Sequence, residues 1–333
     1  MKGSNVTTTV DIVIPCYRYG NFLQESVESV LSQQDVDVRI LILDDASPDN
    51  TADVGGELAR LHRNVEFRRH AANKGHITTY NEGIEWASAE LFLLLSADDY
   101  LLPGALKRAA RLMDARPGMS FVFGNAFLEF DDGARELRGP GAGLSMAETS
   151  VLPCVDFMRL MQGKNVVPTP TAVVRTSAQK RVGGYCHELP HSGDMAMWLR
   201  LAAEGDVGFV NAAQAVYRMH SRNMSRSYSS SRLPDVLQRR AAIDHFLAHV
   251  SGPDESRLRK ILLEALGRDA VSQASAAFNE GDVGISNQLS GIAKEYYPGV
   301  CYTAPWFRYQ MHRAIGRRAW GAFRSTYKRI AQN

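Results

Sequence analysis

Between residues 10 and 99 short apolar runs alternate with stretches of helical period. Val10-Asp11-Ile12-Val13-Ile14 is a β-branched run stopped by Pro15, and Asn21 to Gln33 then sets Phe22, Val27, Val30 and Leu31 at helical spacing. A second strand, Val38 to Leu43, ends at Asp44-Asp45. Ser47-Pro48-Asp49-Asn50-Thr51 supplies turn and helix-start residues for a helix from Ala52 to Leu61. Val65-Glu66-Phe67 predicts a third strand, Thr78 to Ala87 a helix, and Leu91 to Leu95 a fourth strand. Strands alternating with helices predict an α/β domain with a largely parallel sheet. Ligands of such sheets bind beyond the carboxyl ends of the strands. Pro15-Cys16-Tyr17, Asp44-Asp45, Asn73-Lys74-Gly75 and Asp98-Asp99 are therefore expected in one crevice.

The second half is less regular. Phe121 to Phe130 reads as a strand, Gly133 to Gly143 as a Gly-rich surface segment, and Val166 to Val174 as strand-like around Pro168 and Pro170. Arg181-Val182-Gly183-Gly184-Tyr185 reads as a turn, and Ser192 to Leu201 as a helix with Asp194 near its N-terminal end, where a carboxylate is stabilised. Ser227 to Arg232 is Ser-rich and reads as a linker or a lid. Helices follow over 234–250, 254–279 and 283–296, and a last one from Trp306 to Ile330. On that last helix Tyr309, Trp320, Phe323, Tyr327 and Ile330 share a face beside Arg313, Arg317, Arg324 and Lys328. Such a pattern suits a membrane interface or, alternatively, aromatic packing onto the body with solvated arginines.

Composition narrows the class. A chain of 333 residues, 45% hydrophobic, can bury a large core, and its apolar runs fall far short of the roughly 18 residues a membrane span needs. The polar start, Met1 to Thr9, lacks the apolar stretch of a signal peptide, so a cytoplasmic protein is expected, with peripheral contact at the inner face of a membrane as the variant. Cys16, Cys154, Cys186 and Cys301 are scattered without metal-ligand spacing and read as reduced thiols. The formal charge of +2 hides an asymmetry: Pro305 to Asn333 holds seven Lys or Arg and no acid. Removing those seven from the 38 basic side chains leaves 31 against 36 acidic ones over residues 1–304, a net of −5. A negative body disfavours nucleic acid as a partner.

Candidate chemistry centres on Ser96-Ala97-Asp98-Asp99. Two adjacent carboxylates at a buried strand end repel each other, and a hard divalent ion such as Mg or Mn would relieve them; a solvated turn is the bland alternative. Neither a GxGxxG dinucleotide fingerprint nor a GxxxxGK[ST] phosphate loop is present, which argues against a nicotinamide enzyme or a P-loop NTPase.

The ordered set Val13-Ile14-Pro15-Cys16-Tyr17, Asp44-Asp45-Ala46-Ser47, Asn73 with Gly75, Asn81, Ala97-Asp98-Asp99, Gly183-Gly184, Gly193-Asp194 with Trp198-Leu199-Arg200, and Tyr217-Arg218-Met219-His220 closely resembles the family 2 glycosyltransferases of the GT-A fold. The resemblance implies a mixed, mainly parallel sheet with flanking helices as the catalytic domain, residues 1–226, and a C-terminal helical region, 227–333. It implies that Pro15, Tyr17 and Asp45 hold the nucleotide base, with Asn73, Lys74 and Asn81 near base and ribose. An aromatic ring that stacks and a carboxylate that accepts a ring N–H favour a uridine or thymidine nucleotide over cytidine.

By the same resemblance Asp98 and Asp99 bind a divalent cation, Mn or Mg, bridging the diphosphate, with Asp98 also near the ribose. His220 is a further metal or phosphate ligand, and Arg218, Arg222 and Arg226 are phosphate contacts. Asp194 is the base that deprotonates the acceptor hydroxyl in one inverting displacement, and Gly183, Gly184 and Tyr185 border the acceptor. Many relatives carry Asp where this chain has Ser96, and Glu where it has Gly193. The implied function is transfer of a sugar from a nucleotide-diphosphate donor, foremost a UDP-sugar, to a hydroxyl acceptor, with a lipid-linked acceptor as one form, in bacterial-type polysaccharide or glycan assembly. The alternatives are a nucleotide-sugar-binding protein with an impaired site and a nucleotidyltransferase. The latter normally has a Gly-rich, basic signature after its first strand, which Val13 to Arg18 does not offer.

Overall fold

A computed structural model describes residues 7–140, 148–224, 231–250 and 253–316. The chain divides into two compact units, Met1–Leu160 with Asn165–Asn223, and Met161–Lys164 with Met224–Asn333. The Ser-rich residues 227–230 and Arg226 lie outside the described residues, as do residues 317–330 of the expected last helix.

The first unit is built on one ten-stranded sheet. Its first strands are β1 (Thr9–Cys16), β2 (Asp37–Asp44), β3 (Val65–Arg69) and β4 (Leu91–Leu94), alternating with helices α1 (Gly20–Leu31), α2 (Thr51–Leu61) and α3 (His76–Trp86). β1 runs parallel to β2 and β4, and β2 parallel to β3. β1 is buried on both faces. Val10, Ile12 and Ile14 join a core with Leu23, Val27 and Val30 of α1, whereas Val13 on the other face meets α3, where Gly83 leaves no room for a Cβ. Two-sided burial explains why the strands read as near-continuous apolar runs rather than alternating ones.

The rest of the sheet comes from β5 (Tyr100–Leu101), β6 (Met119–Phe130), β7 (Arg135–Arg138), β8 (Thr149–Leu152), β9 (Val173–Arg175) and β10 (Asp206–Met219), with helices α4 (Ala105–Ala115), α5 (Cys154–Met161), α6 (Thr176–Val182) and α7 (Gly193–Glu204). The sheet order is β3-β2-β1-β4-β9-β6-β10-β5, with β7 on β6 and β8 on β10. β9 is antiparallel to both β4 and β6, while β10 is parallel to β6, so the sheet is mixed and mainly parallel, as the resemblance implied.

Three local expectations change. Gly133 to Gly143 is not wholly a surface loop, because Arg135-Glu136-Leu137-Arg138 pairs with the outer end of β6; all four residues are exposed, so no apolar period marks them. Val166 to Val174 is mostly not a strand. Pro168 and Pro170 lack the N–H a ladder needs, and a 3-10 turn over Thr169–Thr171 forms instead, leaving only β9. Arg181 and Val182 end α6, so the turn begins at Gly183. Two long elements, α4 and β10, have no counterpart in the sequence reading.

The second unit is helical: α8 (Arg232–Leu247), α9 (Pro253–Glu280), α10 (Val283–Tyr296) and α11 (Ala304–Ile315). Leu262, Leu266, Ala270 and Ala274 of α9 are buried with Leu289 and Ala293 of α10 and Ile243 and Phe246 of α8. Asp282 caps α10 by accepting from Ile285 N–H, and Thr303 caps α11 by accepting from Trp306 N–H. Of the helix expected to reach Ile330, the described part is α11 to Ile315, followed by Gly316 at φ +84°; residues 317–330 lie outside the described residues. Tyr309, expected on a lipid-facing stripe, is buried and its hydroxyl reaches Ser286.

Candidate active site

The loops beyond β1 and β2 are tied together by short polar links. Asp44 ends β2 and turns inward, accepting from Ser47 N–H and from Arg69, whose guanidinium lies 2.8 Å from it. Arg18, at φ +65°, donates its N–H to Ser47 Oγ, and Tyr17 beside it stays exposed. Asp45 is buried and accepts from Lys74 N–H at 2.7 Å and Gly75 N–H at 2.9 Å. Gly75 sits at φ +85°, a conformation glycine adopts without strain, and this orients its N–H toward Asp45. His70 bridges Asp45 and Glu82 at 2.8 Å on each ring nitrogen. An ionised carboxylate has about four acceptor positions, so these three contacts leave Asp45 one. Asn73 donates to Asp45 O and accepts from Gly75 N–H, while Lys74 Nζ pairs with Glu82.

Beyond β4, Ser96 to Asp99 makes a tight turn closed by Asp99 N–H to Ser96 O. The two acids point to different partners. Asp99 Oδ1 accepts from Arg218 N–H at 3.0 Å and is buried; burial first, and then the Asp98 charge, push its carboxyl well above the usual range. Asp98 Oδ2 meets His220 Nε2 at 3.1 Å and Asn223 Nδ2 at 3.2 Å. His220 Nδ1 accepts from Arg222 N–H, which in the neutral ring leaves the proton on Nε2, facing Asp98. The imidazole stacks on Phe22 at 5.2 Å with an interplanar angle of 12°.

Arg218 is fully engaged. It donates to Asp98 O, pairs with Glu25 and Glu129, and lies over the rings of Phe22 and Tyr100. Arg222 is exposed; its guanidinium donates to Arg18 O at 3.4 Å and lies over the Phe22 ring at 6.0 Å. Its guanidinium is thus the more available of the two for an anion.

Asp194 lies in the first turn of α7. Thr169 Oγ1 donates to its Oδ2 at 2.9 Å, and the Tyr185 hydroxyl donates to it as well. Burial nonetheless holds the Asp194 carboxyl above the ordinary carboxylate range. Tyr185 is positioned by Asn81, which accepts from Tyr185 N–H at 2.6 Å and donates to Tyr185 O at 3.0 Å. Gly184 permits this: a Cβ there would lie 2.4 Å from Asn81 Oδ1. Asn81 therefore holds the loop beside Asp194, and Gly183 supplies the turn that enters it.

Two side chains of α3 feel the charge of more than one of these acids. The Tyr80 phenol is pushed up by burial and by the charges of both Asp194 and Asp98, and His76 feels both Asp194 and Asp45. His70, Thr169 and Asn223 were not identified from sequence. Each acts on a carboxylate 25 to 125 residues away in the chain, a separation no local pattern records.

Among the described residues no cluster of three or more His, Cys, Asp or Glu side chains is arranged to hold a cation by itself. The residues present fit a cation that arrives with a diphosphate, because Asp98 keeps Oδ1 outside the contacts to His220 and Asn223. Magnesium-like ions are commonly held by one or two carboxylates plus phosphate oxygens and water.

Residues 11–172 match the family model described as glycosyl transferase family 2. The putative glycosyltransferase EpsE of Bacillus subtilis is 25% identical over 214 residues, covering 63% of this chain and 72% of that protein. In two other curated relatives the aligned stretch spans 78% and 36% of their lengths. In fold the chain is similar to residues 1–349 of S. aureus TarS in complex with UDP-GlcNAc (16% identity, 87% of this chain, 80% of that chain, TM-score 0.66). It is also similar in fold to the mannosyltransferase PcManGT of Pyrobaculum calidifontis in complex with GDP-Man and Mn2+ (15% identity, 92% and 84% coverage, TM-score 0.54).

Proposed function

We propose, from the premise that this chain is a glycosyltransferase of family 2, that it moves a sugar from a nucleoside diphosphate donor to an acceptor hydroxyl with inversion, in polysaccharide or glycan assembly. The observation that carries the reading is Asp194: a part-buried carboxylate, held above its ordinary range and hydrogen-bonded by the hydroxyls of Thr169 and Tyr185. A base whose pKa is raised toward working pH accepts the hydroxyl proton more readily as the oxygen attacks the anomeric carbon. Those two hydroxyls orient it for the acceptor.

At the donor end, Tyr17 offers an exposed ring for stacking and Asp45 one remaining acceptor position for a ring N–H, which fits uridine; the UDP-GlcNAc bound to TarS is of the same class. Asn73 and Lys74 shape that pocket through Asp45. Asp98, with His220 beside it, would hold Mn or Mg on the diphosphate, Arg222 would meet a phosphate oxygen, and Asp99 fixes the turn to β10. The cation, when bound, neutralises charge on the departing nucleoside diphosphate. The Mn2+ in PcManGT supports a divalent ion here.

The test is a screen of nucleotide sugars with Mn or Mg, following nucleoside diphosphate release by slow donor hydrolysis and then by transfer to added acceptors. Release with one donor, lost on chelation, in Asp98→Ala and in Asp194→Ala, is the expected result. Donor binding with no release under any acceptor would instead make this a nucleotide-sugar-binding protein, the reading that Ser96 and Gly193 favour.

A further inference from the structure

Helix α11 is pinned by one face and bare on the other. Trp306, Tyr309 and His312 are buried; the Tyr309 hydroxyl bonds Ser286, and His312 packs edge-on against Phe278 at 5.0 Å. The opposite face carries Phe307, Met311 and Ile315, spaced by four residues and 58%, 54% and 48% exposed. Tyr302, 86% exposed, precedes the helix by two residues. Four large apolar side chains on one short stretch are costly to leave in water, and they form a contiguous stripe rather than the scattered exposure ordinary surfaces show. The charged side chains of α11 are both cationic, Arg308, which is exposed, and Arg313, which is engaged with buried Tyr309, and the whole span 305–333 holds seven basic and no acidic side chains.

We propose that this face of α11 docks onto an anionic lipid surface, with Phe307, Met311, Ile315 and Tyr302 entering the headgroup boundary and the arginines meeting lipid phosphates. Charge decides among possible occupants. A second copy paired through the same stripe would bring Arg308 against its equivalent, and residues 317–333 folded over it would bring five more cations to the same place. An anionic bilayer meets both the apolar and the cationic parts at once. The apolar face is thus not the one the aromatic spacing predicted: Tyr309 belongs to the core, and the stripe lies on the opposite side of the helix. This docking would bring the chain to acceptors carried on lipid, and it is tested without reference to transfer activity.

The experiment is co-sedimentation of the full chain with vesicles of phosphatidylcholine alone or mixed with phosphatidylglycerol, at low and raised salt. The double variant Phe307→Ser/Met311→Ser is compared with Leu61→Ser, an exposed leucine of α2, as control. Binding to the phosphatidylglycerol vesicles alone, weakened by salt, reduced about tenfold or more in the double variant and unchanged in Leu61→Ser, is expected. Three results would overturn the proposal: no binding, equal binding to both vesicle types, or a double variant that binds like the wild type. It would also fail if the wild type proved dimeric by light scattering and the double variant monomeric, which would assign the face to a second copy.

Discussion

The two units bury carboxylates in opposite ways. In the helical unit Asp269 lies among cations. Lys164 at 2.6 Å and the buried Arg239 at 2.8 Å hold its carboxyl below the ordinary range although burial alone would raise it, and Arg239 also donates to Gly163 O. In the sheet unit Asp194 is part-buried, but its hydrogen-bond donors are the hydroxyls of Thr169 and Tyr185, and its carboxyl stands above the ordinary range. A buried acid surrounded by cations is spent on structure. One surrounded by neutral donors keeps its charge energetically unsettled and so remains responsive to a proton or a ligand. Asp11 shows that the distinction follows the partners rather than the unit: it lies in the sheet unit, is paired with Arg39, accepts from Ser88 and Ala89 N–H, and is held low.

This contrast is most exposed at Asp194. Asp194→Asn should lower transfer by about 10²- to 10⁴-fold, the range of a lost general base, in assays of kcat. Its effect on stability should have the other sign. A carboxyl whose folded pKa exceeds its unfolded value binds more protons when folded, so the wild type loses stability as pH rises through the folded pKa, and the Asn variant does not. At neutral pH the variant should melt later; an earlier melt would show that Asp194 is structural.

Asp269→Ala should do the reverse. Stripping the partner from buried Arg239 should cost about 3 kcal/mol in urea unfolding. A depressed carboxyl confers stability that is complete above its unfolded pKa and lost as pH falls through the folded one, so the wild type should lose this contribution below about pH 4.

A smaller loss is expected at the loop beside Asp194. Asn81→Ala leaves the N–H and C=O of Tyr185 without their partner and should cost about 2 kcal/mol and raise the acceptor KM more than the donor KM. Gly184→Ala, which collides with Asn81, should be less damaging in the Asn81→Ala background than in the wild type, a coupling that a double-mutant cycle reads directly. The smallest effect belongs to Cys16. Burial pushes its thiol up to about 12, so alkylation at pH 8 should label it only after unfolding.

Strands β1, β2 and β4 were legible because their apolar runs are buried on both faces, β3 because Val65 and Phe67 alternate with exposed Glu66 and Arg68, and helices α1 to α3 because they keep one apolar stripe. β7 was not, since its four residues are exposed and charged, and the prolines near β9 disguised a turn as a strand. The strand-end acids stood out as a motif, but not which of them turns inward. Asp44 and Asp99 serve as fasteners, to Arg69 and to Arg218 N–H, while their neighbours Asp45 and Asp98 face His70 and His220.

Local pattern was therefore enough for the alternation of strands and helices, the strand-end placement of the polar residues and the one-sided charge of the last segment, because each depends on neighbours within a few positions. Tertiary structure alone decided that Thr169 and Tyr185 would flank Asp194, that Asn223 would reach Asp98, and that Tyr309 would turn into the core and leave Phe307 and Met311 outside. Burial and hydrogen-bond partnership depend on residues distant in the chain, and they fix whether a carboxylate is a fastener or a base and which face of a helix meets solvent.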